Sequence, residues 1–169
     1  EFTVSGRMAE NLYWMGRYAE RASATSLLMR QIIRLMESDA YTGSNYTRYT
    51  LSQLLPALTH LTATYPGFTG PKSNEHLSRP AGELFSLVDD VNRAGSLAHS
   101  LNACLSSSGE IRDLLSQETR TVVNRIQYLL QAMEKQPLGD LRSMDYRLSD
   151  VRLVMLALTT LFKHSMVQG

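Results

Sequence analysis

One pattern constrains this chain more than any other. From Met8, the residues Leu12, Met15, Ala19, Ala22, Ser26, Met29, Ile33 and Met36 recur at alternating steps of four and three, which is the spacing of one helical face. Trp14, Tyr18, Arg21, Thr25, Leu28, Ile32 and Leu35 form a second stripe beside it, so the apolar face is broad enough for more than one neighbour. Gly16 is the only Gly or Pro between Met8 and Gly43. With Ser5 as N-cap, the pattern predicts a helix from about Ser5 to Ser38, roughly 50 Å long at 1.5 Å per residue. A helix of that length needs long neighbours, and so predicts a bundle.

The rest of the chain supplies them. Leu51, Leu54, Leu55, Leu58 and Leu61 predict a second helix, opened by Thr50 and Gln53 at capping-box spacing, with Pro56 kinking it or marking its true start. Between Thr64 and Gly82, the breakers Pro66, Gly67, Gly70, Pro71 and Pro80 predict a long, mobile loop. Pro80 suits the first turn of a short helix carrying Leu84, Phe85, Leu87, Val88 and Val91. A further helix starts near Gly95 and Ser96 and runs through Leu97, Leu101, Cys104, Ile111 and Leu115, weakest at Ser106 to Gly109. Ser116 reads as the N-cap of a helix with Glu118 in its first turn, ended by Pro137-Leu138-Gly139. The last helix, about Ser143 to Met166, is apolar nearly all round and is expected at the centre. No stretch alternates with period two for long. The expected fold is all-α, a bundle of five or six helices with a long first helix, forming a single domain over residues 1–169.

Composition excludes several functions. Hydrophobic residues make up 43% and charged residues 20%, with mean hydropathy −0.20, values of a folded soluble chain. The densest apolar run, Val151 to Phe162, is broken by Arg152, Thr159 and Thr160 and is too short to span a bilayer. A net charge of +1 supplies no field for nucleic acid or an acidic membrane. Cys104 is the only thiol, which rules out an internal disulfide and a Cys-based zinc site. Residues Glu1 to Arg21 carry no secretory leader, so a cytoplasmic setting is expected. His60, His76, His99 and His164 lack metal-ligand spacing, and Asp89-Asp90 point about 100° apart on a helix, as solvated carboxylates do more often than Mg²⁺ ligands. With no phosphate loop, dinucleotide fingerprint or nucleophile elbow, no cofactor is expected, and the isolated chain is expected not to be catalytic.

The first helix carries the distinctive chemistry. Asn11, Tyr13, Trp14, Arg17, Tyr18, Glu20 and Arg21 crowd an amide, three aromatic rings and three charges into three turns. Glu20 can reach back to Arg17, whereas Arg17 and Arg21, four apart, repel unless an anion lies between them. Arg21 shares the stripe of Trp14 and Tyr18, which predicts partial burial and either an anionic ligand or a carboxylate from another helix, with Asp113, Glu110, Asp89 and Asp90 as candidates for the latter. Glu20 is expected to be a structural lock.

The run Ala9-Glu10-Asn11-Leu12-Tyr13-Trp14-Met15-Gly16-Arg17-Tyr18-Ala19-Glu20-Arg21-Ala22 resembles the signature of the bacterial alpha-E domain family, helical domains of undetermined activity named for a Glu-Arg motif. Gly95-Ser96-Leu97 resembles the family's Arg-Pro-Gly-Ser-Leu turn with Ala94 in place of Pro, and Arg112-Asp113-Leu114-Leu115-Ser116 resembles its Arg-Asp-x-Leu-Ser segment. Where many members carry Trp-Arg, this chain has Arg120-Thr121. Members are commonly about twice as long, so the resemblance implies the first half of such a domain, or a fragment of a larger fusion protein. The Glu-Phe-Thr-Val opening, which lacks an initiator Met, fits the interior of a longer chain. The resemblance also implies context: an ATP-grasp ligase domain in cis or trans, within a peptide ligation or modification system. Three readings stay open. The chain is an accessory domain that handles a peptide, carboxylate or phosphate ligand, an active-site half completed by further residues, or a structural dimerisation module. Self-association through the first or last helix is expected, and Arg112 and Asp113 are expected as partners of the Glu-Arg site.

Overall fold

The computed structural model describes the backbone of residues 6–168 and the side chains of residues 6–38 and 43–164. Among the described residues, every regular element is helical: α1 (Gly6–Thr42), α2 (Asn45–Thr62), α3 (Ser73–Ser78), α4 (Ala81–Asp89), α5 (Leu97–Glu110), a 3-10 turn (Arg112–Leu114), α6 (Gln117–Lys135) and α7 (Leu141–Gln168). The all-α expectation holds. There are seven helices rather than five or six because α3 forms inside the stretch read as a loop. Ser5, the expected cap of α1, lies outside the described residues.

The long first helix is the frame. Its first stripe supplies Met15, Ala19, Ala22, Met29 and Ile33 to the core, and α1 packs against α2, α5 and α7. It therefore occupies the centre that the sequence suggested for α7. The last helix is half-covered instead: Met144, Leu148, Val151, Met155 and Leu158 are buried while Tyr146, Leu153 and Leu156 face solvent. Two ion pairs set the neighbours of α1, Arg7 to Glu110 at 2.6 Å on α5 and Arg30 to Asp145 at 3.1 Å on α7. Met15 lies against Cys104, so α5 runs antiparallel to α1. Burial pushes the Cys104 thiol up to about 12, which leaves it an unreactive core side chain.

Two expected helix starts are found and one is not. Ser96 Oγ accepts from His99 N at 3.0 Å and Ser116 Oγ from Thr119 N at 3.2 Å, capping α5 and α6. Thr50 caps nothing. It lies inside α2, where its hydroxyl donates to the Tyr46 carbonyl at 2.9 Å, and the helix runs on through Pro56. In the same way, α5 stops at Glu110, short of the expected Leu115, and the 3-10 turn takes up Arg112 to Leu114. At the start of α7, Asp140 accepts from Ser143 N at 2.8 Å, and that bond holds its carboxyl below the usual range.

The segment from Ala63 to Ser96 is anchored rather than loose. Phe68 is 1% exposed and its N–H donates to Thr59 Oγ1 at 2.9 Å. Arg93 binds the Glu83 carboxylate and donates to Ser86 Oγ at 3.1 Å. Gly95 (φ +92°) packs so tightly on the Thr62 carbonyl that a Cβ there would collide with it. These contacts give the segment fixed partners despite the density of breakers.

Candidate functional site: the Glu-Arg face of the first helix

Helix α1 has 37 residues and α2 has 18, so at 1.5 Å per residue they span about 55 Å and 27 Å. The two are joined by Gly43 and Ser44 alone, which turns α2 back along the C-terminal half of α1. The second stripe of α1 changes character along the helix. Ile32 and Thr25 are buried, whereas Trp14 is 43% exposed and Arg21 is exposed. The expected burial of Arg21 is thus wrong: at its level α1 is buried on the first stripe, at Ala19 and Ala22.

What remains is an open surface. Tyr13 meets Trp14 edge-on with ring centroids 5.3 Å apart, and Trp14 lies 5.9 Å from Tyr18. Asn11 is occupied locally, its side-chain amide donating to the Arg7 carbonyl at 3.0 Å. Arg17, Glu20 and Arg21 are exposed and form no ion pair with any described residue. The expected structural lock at Glu20 is therefore absent. None of the four acids considered for Arg21 meets it: Glu110 binds Arg7, Asp89 binds Arg147, Asp90 accepts from Asn92 N, and Asp113 is exposed. Arg112 and Asp113 follow Glu110, which is pinned to Arg7, so they stand beside the first turn of α1, about 20 Å along the axis from Glu20. The structure does not bring them to the Glu-Arg step.

The buried charge network lies elsewhere. Arg147 of α7 donates to Asp89 Oδ2 at 2.5 Å and to the Gln136 carbonyl at 2.6 Å, with the Ala132 carbonyl at 3.3 Å. It ties the ends of α4 and α6 to α7. The side chains of Arg147 and Asp89 are 11% and 17% exposed. Burial outweighs the attraction of a guanidinium shared with two carbonyls, and the Asp89 carboxyl is pushed up to about 6. No sequence motif singles out Arg147, although its register with Met144, Leu148 and Val151 places it on the buried face of α7.

Among the described residues, no group of His, Cys, Asp and Glu can hold a metal ion, and no helix is long and apolar enough to cross a membrane. The face on α1 sets three aromatic rings beside charges of both signs that pair with no described residue.

A family model named Alpha-E, described as a predicted alpha-helical domain with a conserved ER motif, matches residues 4–169. The chain belongs to the Alpha-E family. Glu20-Arg21 is the one Glu-Arg step in these 169 residues of Alpha-E sequence, and it falls on the open face of α1. Uncharacterised proteins of Mycobacterium bovis and of Mycobacterium tuberculosis strain H37Rv are each 29% identical to it over 127 residues, 73% of this chain. The match spans 14% of each relative's length. No solved structure matches the chain.

Proposed function

We propose that this Alpha-E domain is a helical accessory module that docks a peptide-ligase partner, an ATP-grasp domain in cis or trans, through the Glu-Arg face of α1. The observation that supports this most is the combination of exposure and lack of partners at Arg17, Glu20 and Arg21, beside Tyr13, Trp14 and Tyr18. Trp, Tyr and Arg are the residues that carry most of the energy at protein interfaces. Charges of both signs on one helix face select a register as well as a partner. The ligase class of the partner comes from the family resemblance, and the long mycobacterial relatives leave room for such a partner in the same chain.

A second reading, dimerisation, draws on one specific pattern. Glu10, Tyr13, Arg17, Glu20, Ala24 and Leu27 follow one exposed stripe. Antiparallel pairing of two copies about a two-fold axis places Arg17 opposite Glu20 of the other copy, twice, and Tyr13 opposite Ala24.

Calorimetric titration of this domain with the purified ATP-grasp domain of its own system tests the first reading. Binding is expected, and it is expected to weaken at least tenfold in Arg17→Glu/Arg21→Glu. Absence of binding, or binding indifferent to charge reversal, removes the docking reading. Sedimentation of the domain alone then decides dimerisation, which requires a concentration-dependent dimer that Glu20→Arg disrupts.

A further inference from the structure

Where α5, the 3-10 turn and the start of α6 meet lies a pocket of about 220 Å³ with no α1 residue in its wall. Its walls divide sharply by chemistry. Leu105, Leu115 and Val123 give it an aliphatic side. Arg112 and Arg120 contribute two guanidinium groups, and neither forms an ion pair with a described residue. Arg120 is oriented by its Nε, which donates to the Leu115 carbonyl at 3.0 Å, leaving its two terminal nitrogens uncommitted. Asn124 and Gln127 follow Arg120 at i+4 and i+7 and line the same pocket. The acids adjacent in sequence do not fill it. Glu110 is held by Arg7, and neither Asp113 nor Glu118 is part of the wall.

We propose that this pocket binds a small carboxylate bearing an apolar side chain, such as the C-terminal residue of a peptide. Two like charges facing one cavity repel until an anion lies between them, and a planar carboxylate matches the paired donors of a guanidinium. A bare inorganic anion gains the same guanidinium donors but nothing from the aliphatic wall, so the wall favours an acid that carries an apolar group. An apolar side chain gains from the same wall, and the Asn124 and Gln127 amides can each donate to and accept from a peptide unit. The proposal does not rest on partner docking by α1, since no residue of α1 lines the pocket.

N-acetyl-leucine is the probe, titrated into the whole domain and followed by the methyl resonances of Leu115 and Val123. Saturable shifts of both residues are expected. N-acetyl-leucinamide, which lacks the charge, should bind at least tenfold more weakly, and inorganic phosphate should not displace the acid. Arg112→Gln should weaken binding about tenfold, the effect of removing one charge-assisted contact. It should do so with an unchanged melting temperature because that side chain is exposed, so it serves even if Arg120→Gln disturbs the turn. No shift, equal binding of the amide, displacement by phosphate at equal concentration, or an unaffected Arg112→Gln would each overturn the assignment.

Discussion

Arg147 and Glu20 are both charged residues on long helices, and their surroundings give them opposite importance. Removing Arg147 strands the Asp89 carboxylate in a largely buried site, so Arg147→Ala should cost roughly 3–5 kcal/mol. Glu20→Ala and Arg21→Ala remove exposed, unpaired charges, and each should change stability by under about 1 kcal/mol. Urea midpoints for the three variants measure the contrast. Asp89 adds a pH dependence. Its folded pKa of about 6 lies above the ordinary 3.8, so its contribution to stability is fully present below about pH 4 and is lost as pH rises through 6. Between pH 4 and 7 that loss should be on the order of 1–3 kcal/mol, and Asp89→Asn should remove it from the urea midpoints measured across that range. At this scale the sequence was a partial guide. Caps made by Ser96 and Ser116 follow from local rules. The pairing of Asp89 with Arg147, 58 residues apart, depends on how α4 and α7 meet, which no local rule contains.

At the scale of elements, what decides burial is how far around α1 its neighbours reach. Periodicity identifies the stripe through Trp14, Tyr18 and Arg21 as apolar enough to bury, but only Thr25 and Ile32 of it are buried. The pattern does not say which stripe the neighbours reach, which is why Arg21 was misread, and Glu20 lies on the exposed stripe of Tyr13, Arg17 and Ala24. Thr50 failed for a different reason. A hydroxyl that can cap a helix can equally donate to a carbonyl one turn earlier inside it. Two glycines test the element description. Gly16 has nothing within 4 Å of where a Cβ would stand, so Gly16→Ala should stabilise the domain by about 0.5–1 kcal/mol through helix propensity alone. Gly95→Ala faces positive φ and the Thr62 carbonyl together, and should destabilise by about 2–4 kcal/mol. Thermal melts of the two variants should move in opposite directions.

For the molecule as a whole, the fold class was legible because 3.6-residue periodicity covers most of the chain, and the family because its motif lies in one unbroken run, Ala9 to Ala22. The role of that motif was not legible, since exposure is a property of the assembled bundle. Central position and an open N-terminal half make α1 both the scaffold and the surface that a partner would meet. The central proposal is therefore that the Glu-Arg face is dispensable for folding and serves to dock a partner. The most direct test measures both properties on one variant, Arg17→Glu/Arg21→Glu, by urea unfolding and by calorimetric titration with the ATP-grasp domain. An unfolding midpoint close to that of the wild type together with at least a tenfold loss of affinity is the predicted result; a collapsed midpoint, or binding at full strength, would contradict it.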